Sequence, residues 1–185
     1  MTQEVRPVAV VTGASRGAGK GIALALGGRG YTVYVTGRSE RAGDAPLPGT
    51  IHDTAAEIDR LGGHGIAVSC DHGDDAQVRA LFERVAREQD GRLDILVNNA
   101  CAIPDELVQP GGFWEKPLSL LSLLNVGMRS NYVASYYAAP LMVARRSGLI
   151  VHTSSFGGTC YMHGPAYGAG KAAVDKMAHD MGVEL

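Results

Sequence analysis

The segment Thr12 to Gly19, TGASRGAG, constrains this chain more than any other, because it joins an apolar strand-length run to a helix-period segment. Pro7 to Thr12 (PVAVVT) reads as a buried first strand, and Ala18 to Arg29 as a helix with Ile22, Leu24, Ala25 and Leu26 available for packing. A strand that turns into a helix through glycines leaves the helix N-terminus open. Gly13 permits the tight turn, while Gly17 and Gly19 omit the side chains that would keep a pyrophosphate from that N-terminus. The unpaired N–H groups there, aided by the helix dipole, suit an anion. A lone glycine pattern is weak evidence, but between a strand and a helix it reads as a phosphate cradle rather than a flexible turn.

The alternation continues to the end of the chain. Thr32 to Thr36 (TVYVT) reads as a second strand, rich in β-branched residues, followed by a polar loop from Ser39 to Gly49 and a helix near His52 to Leu61. Gly65 to Cys70 is a third strand. Asp74 to Gln89 is a helix with Val78, Leu81, Phe82 and Val85 on one face. Leu93 to Val97 is the fourth strand and Gly148 to Thr153 the fifth. A long helix is expected from about Ser119 to Arg146, with Pro140 as a candidate kink, and Tyr167 begins the last helical stretch. Alternating elements with near-continuous apolar strands predict an α/β fold, a Rossmann-type doubly wound parallel sheet in three layers. The 185 residues, without repeat or linker, read as one domain spanning residues 1–185.

Composition excludes several functions. A net charge of −2 offers no basic surface for nucleic acid. No apolar stretch is long enough to span a bilayer, and Met1 to Pro7 carries no signal-peptide pattern. Cys70, Cys101 and Cys160 are far apart and read as buried or half-buried reduced thiols of a cytoplasmic protein. His52, His64 and His72 never reach ligand spacing, so no metal site is expected.

The chemistry-bearing residues fall at the ends of strands. NAD-binding folds of this kind place an acidic residue at the end of strand two, but here TGRSER puts Arg38 there. With Arg16 in the glycine loop, two guanidinium forks suit a ribose 2′-phosphate, which favours NADP(H) over NAD(H). Tyr167 and Lys171 form YGAGK, an i, i+4 pair on one helix face. A tyrosine hydroxyl, with an ordinary pKa near ~10, is a poor base at neutral pH. A nearby ammonium favours the phenolate, so the hydroxyl can exchange a proton with a substrate oxygen. Ser154 and Ser155 close the fifth strand, where a donor can polarise a carbonyl.

In this order TGASRGAG, Asp71 after strand three, NNA (Asn98 to Ala100), Asn125, the serine pair and YGAGK resemble the short-chain dehydrogenase/reductase family over the whole chain. The loop RAGDAPLPGT and the segment GGFWEKP resemble one branch of that family, which has bacterial members. The resemblance implies an oxidoreductase that moves a hydride between nicotinamide and a carbonyl or alcohol. Tyr167 would be its acid/base, Lys171 the partner and ribose anchor, and Ser154 or Ser155 the carbonyl-orienting donor. Asn125 would hold a water that extends the proton path. Gly13, Ser15, Arg16, Gly17, Ala18 and Gly19 would form the cradle, with Arg38 at the ribose, Asp71 at the adenine edge, and Asn99 and Ala100 along the cofactor. Counting back from Tyr167 favours Ser154, which needs no gap; counting forward from Gly148 favours Ser155.

The chain also departs from the family. Cys101 replaces a glycine that usually follows NNA, which would crowd the cofactor side of the cleft, and Ala18 replaces a common isoleucine. The family normally continues through two more strands and a substrate-covering loop, so the chain reads as a truncated version with its fifth strand at an open edge, guarded only by His152. A homodimer or homotetramer and a small-molecule carbonyl or alcohol substrate are expected by resemblance alone. Phe113 and Trp114 read as packing residues or as a substrate wall. The rival reading is a sensor or scaffold that binds NADP(H) without catalysis; it shares the glycine loop but has no use for Ser, Tyr and Lys together.

Overall fold

The computed structural model describes residues 6–185, so the reading of Met1 to Pro7 falls, Arg6 and Pro7 apart, outside the described residues. Five strands form one parallel sheet: β1 (Val8–Val11), β2 (Thr32–Gly37), β3 (His64–Ser69), β4 (Ile95–Asn98) and β5 (Leu149–His152), in the order β3-β2-β1-β4-β5. Each strand falls within two residues of its expected bounds. β1 is central and every residue of it is buried, as a strand covered on both faces requires.

Two apolar clusters explain the three layers. On one face α1 (Gly17–Gly27) and α2 (Ile51–Arg60) bring Ala23, Ile51, Ala55 and Ile58 onto Val11, Val33, Val35 and Val97. On the other, α3 (Asp75–Glu88) and α4 (Ser130–Arg145) bring Val78, Leu81, Phe82, Val85, Ala134, Ala138 and Met142 onto Val8, Val10, Tyr34 and Leu96. Each large side chain so buried contributes about 1.5–3 kcal/mol. Thr50 and Asp74 cap α2 and α3 by accepting hydrogen bonds from Asp53 N and from Ala76 N and Gln77 N. The last helix, α5 (Pro165–Glu184), starts two residues before Tyr167 because proline is favoured in a first helical turn. No described helix is long and apolar enough to cross a membrane.

Three expectations change. The single helix over 119–146 is broken: a short turn over Leu118–Leu121 and one helical turn at Ser122–Leu124 lead into a break at Val126 and Gly127, after which α4 begins. Gly127 has φ +138, which a side chain opposes, and the break is held from outside. Ala102 N donates to Val126 O at 2.8 Å, Gly127 N to Ser130 Oγ at 3.0 Å, and Asn131 Nδ2 to Gly127 O at 3.1 Å. Pro140, the expected kink, sits exposed inside a continuous α4. His152 does not guard the edge strand with charge. Its ring nitrogens are buried and burial pushes its pKa down, so it is neutral near pH 7. Cys160 is exposed, unlike buried Cys70 and half-buried Cys101.

The position of the break is testable by urea unfolding. Gly127→Ala should cost about 1–3 kcal/mol, since it forces positive φ on a side chain whose Cβ would stand 3.0 Å from Cys101 Sγ. Pro140→Ala should instead raise the midpoint, because it removes a helix-interior proline. The opposite ranking would place the break at Pro140.

Candidate active site

The carboxyl ends of β1 and β4 are tied together. Thr12 Oγ1 accepts hydrogen bonds from Asn99 N at 2.8 Å and Ala100 N at 2.9 Å, while Asn99 Nδ2 donates to Thr12 O at 2.9 Å and Gly13 O at 3.0 Å. The order of the strands reverses at this point, so a crevice opens between the loops that follow. Gly13, with φ +63, lets its turn press on Ala100: a Cβ there would stand 2.8 Å from Ala100 Cα. One at Gly19 would stand 2.4 Å from Asn99 Nδ2 and 2.5 Å from Gly13 O. Both glycines are therefore demanded by close approach. Gly17 has φ +57 and open space around it.

The cradle is chemically available to an anion. The first backbone bond of α1 runs from Lys20 N to Arg16 O, and Arg16 at the N-cap gives no side-chain cap. The N–H groups of the first turn thus lack intrahelical partners, and Gly17 and Ala18 are exposed beside them. Arg16 folds back onto the next loop: Nη2 donates to Ser39 Oγ at 2.6 Å and Gly49 O at 2.8 Å, while its Nε is buried without a partner. Ser15 lies buried beneath the same loop, where Gly49, at φ +107, presses against the Ser15 carbonyl. Arg38 projects outward, 76% exposed, and among the described residues its one charged partner is Asp71 Oδ2 at 3.8 Å. An exposed pair of that length contributes at most about 1 kcal/mol, so the guanidinium is available to a phosphate. The open helix N-terminus and its glycines fit the pyrophosphate of a nicotinamide dinucleotide.

Tyr167 and Lys171 share one face of α5 at the far side of the crevice. Lys171 Nζ donates to Thr153 O at 2.8 Å and stands 5.8 Å from the centroid of the Tyr167 ring. Of the two serines, Ser154 is exposed and makes no hydrogen bond among the described residues, while Ser155 Oγ accepts from Gly157 N at 3.1 Å and donates to Met162 Sδ at 3.7 Å. Gly157 packs directly against Tyr167, whose Cε1 would stand 2.8 Å from a Cβ there. Ser155 is thereby held on the turn beneath the phenol.

A small cavity of about 10 Å³, near the size of one water, is lined by Cys101, Leu123, Gly127, Tyr167, Gly170 and Lys171. Here the structure differs from expectation. The broken helix contributes Gly127 to this cavity, whereas Asn125 is exposed with its Nδ2 3.4 Å from a Cβ at Gly73, in the Asp71 loop. Asn125 therefore does not stand with Tyr167 and Lys171. Cys101 turns its Sγ to Gly127, so the extra sulfur occupies room that a side chain at 127 would need. Burial pushes its thiol pKa up, partly opposed by Lys171.

Thr12, Gly127 and Thr153 were not singled out in the sequence. Thr12 carried a usable signal as the last residue of the first strand, but Gly127 and Thr153 act through backbone placement, which a sequence does not display. Among the described residues no cluster of His, Cys, Asp or Glu could hold a metal.

His72, dismissed as a ligand, has a different role. It is buried beside the Arg38–Asp71 pair, with Nε2 2.8 Å from Thr36 Oγ1, and burial pushes its pKa down to about 4. The unfolded chain takes up a proton at this group below about pH 6.5, whereas the folded protein does not until about pH 4. Stability should therefore be full above pH 6.5 and fall by a few kcal/mol between pH 6.5 and 4. His72→Gln should flatten that part of the profile in urea titrations; an unchanged slope would remove His72 as its source.

A family model described as short chain dehydrogenase matches residues 7–185. Dehydrogenase/reductase SDR family member 1 from Mus musculus and from Homo sapiens are each 48% identical over 181 residues, covering 96% of this chain and 55% of the relative. The chain thus spans about half the length of these relatives. A crystal structure of a metagenomic short-chain oxidoreductase in complex with NADP superposes with a TM-score of 0.83 at 31% identity, covering 98% of this chain and 77% of that one.

Proposed function

The chain belongs to the short-chain dehydrogenase/reductase family, and from that premise we propose that it is an NADP(H)-dependent oxidoreductase acting on a carbonyl or alcohol. The observation that carries this reading is the Tyr167–Lys171 pair on α5, which faces the crevice beside the phosphate cradle. Gly13, Ser15, Gly17, Ala18 and Gly19 hold the pyrophosphate, Arg38 and Arg16 the 2′-phosphate, Asp71 the adenine edge, and Asn99 and Ala100 line the cofactor's path. The NADP in the metagenomic neighbour supports the phosphate assignment.

When bound, the nicotinamide supplies or accepts the hydride at the substrate carbon. The Tyr167 hydroxyl gives its proton to the substrate oxygen in reduction and takes it back in oxidation. Lys171 opposes the negative charge that then develops on the phenol oxygen, and Thr153 O fixes the ammonium in place. Ser155 is favoured over Ser154 as the carbonyl donor, because its hydroxyl is held on the turn that packs beneath Tyr167. Asn125 is not assigned to the proton path. The rival reading, NADP(H) binding without catalysis, leaves this Tyr–Lys arrangement without a use. A homodimer or homotetramer is carried by the same family resemblance, and Tyr132, Tyr136 and Val143 offer an exposed apolar face on α4 for it.

Two substitutions separate the halves of this proposal. Tyr167→Phe should lower kcat at least about a hundredfold while NADPH affinity, read by fluorescence titration, stays nearly constant. Retained turnover would remove Tyr167 as the acid/base. Arg38→Asp should weaken NADPH about tenfold or more relative to NADH. Equal use of both cofactors by the unmodified chain would remove the phosphate clamp.

A further inference from the structure

Next to the Tyr167 site lies a larger cavity that the proposed chemistry does not use. It measures about 310 Å³, within the range of about 300–1,000 Å³ typical of small-molecule sites. Leu123 lines both it and the small cavity at Tyr167, and Ala166, the residue before Tyr167, lines the larger one. A substrate with its oxygen at Tyr167 would therefore place its body here. The walls are apolar, from Phe113, Leu118, Leu120, Leu121 and Pro165 among others, and Lys116 is the one residue of fixed charge among them.

Lys116 stands out for its lack of a partner. It is part-buried, no carboxylate pairs with it among the described residues, and its one hydrogen bond is a long one of 3.4 Å to Leu107 O. An ammonium has three donors, so the others are free. Glu115, beside it in sequence, is engaged elsewhere: its Oε2 accepts from Gly112 N at 2.7 Å. Apart from the imidazole of His163 and the phenol of Tyr161, no other ionisable side chain lines the cavity among the described residues, and none that does is acidic. A part-buried cation in an apolar wall stabilises an anion more than a fully solvated lysine would, because screening is weaker there.

We propose that Lys116 anchors an acidic group, and that the substrates of this chain are apolar carbonyl compounds or alcohols bearing a carboxylate remote from the reacting carbon. The inference rests on the oxidoreductase reading for the position of that carbon, but the anion site can be tested alone.

Trp114, the only tryptophan, provides the signal, since its ring meets Phe113 edge-on with centroids 5.2 Å apart and Phe113 lines the cavity. Decanoate and decanol are titrated against the chain without cofactor while its Trp114 emission is followed. Decanoate should bind about tenfold more tightly than decanol, Lys116→Met should abolish the difference, and Lys116→Arg should retain it. Equal affinity in the unmodified chain, no binding of either probe, or a difference that survives Lys116→Met overturns the anchor. Oxidation of NADPH by 10-oxodecanoate, which carries both the aldehyde and the remote carboxylate, is followed separately; if decanoate binds as described while 10-oxodecanoate leaves NADPH unoxidised, the oxidoreductase reading falls and the anion site stands.

Discussion

The structure depends on the clasp between the ends of β1 and β4. Parallel strands present their last N–H and C=O groups to whatever loop follows, and buried backbone groups left unpaired are costly. Here Thr12 Oγ1 takes two backbone N–H groups from the Asn99–Ala100 turn, and Asn99 returns its amide to two carbonyls of the glycine loop. The clasp holds the first turn of α1 open and presses Gly13 onto Ala100 and Gly19 onto Asn99. The open N-terminus of α1 and a cleft wall thus share one set of hydrogen bonds. Loss of either glycine would disturb both.

A second tie acts on the opposite side of the cleft. The chain leaving β4 bonds through Ala102 N to Val126 O and breaks the helix there, so Gly127 rather than a longer side chain faces Cys101, Tyr167 and Lys171. Ser130 and Asn131, both buried, satisfy the N–H and C=O that the break exposes. The same polar face continues through Ser135, which accepts from Asn98 Nδ2 and donates to Asn131 O. Helix α4 is therefore fastened to β4 by hydrogen bonds as well as by apolar packing. A sulfur at 101 and a bare Cα at 127 are complementary, so the departure at Cys101 is accommodated within the protein.

Most of the architecture was legible because burial leaves a periodic mark. Strands covered on both faces must be continuously apolar, and α3 must repeat Val78, Leu81, Phe82 and Val85 along one stripe; both patterns are local. The helix over 119–146 misled for the same reason. Its residues suit a helix, Pro140 is the usual suspect for a kink, and the donor that breaks it at Val126 comes from a strand-end loop distant in sequence. Asn125 was placed on the proton path by the family resemblance, but the break turns it toward the Asp71 loop. Lys116 escaped notice because one lysine in a loop is ordinary until its surroundings are known to be apolar and free of carboxylate.

The amino-acid order by itself determined the alternating α/β pattern, the parallel sheet, the glycine cradle and the pairing of Tyr167 with Lys171, since each follows from short-range periodicity or from backbone freedom at a few glycines. Tertiary structure decided that Ser155 rather than Ser154 is held by the Gly157 turn, where the long helix breaks, that His152 is buried as a neutral ring, and which cation lines the apolar cavity. These depend on groups far apart in the chain competing for the same donor, acceptor or volume, and that competition is settled only when the chain is packed.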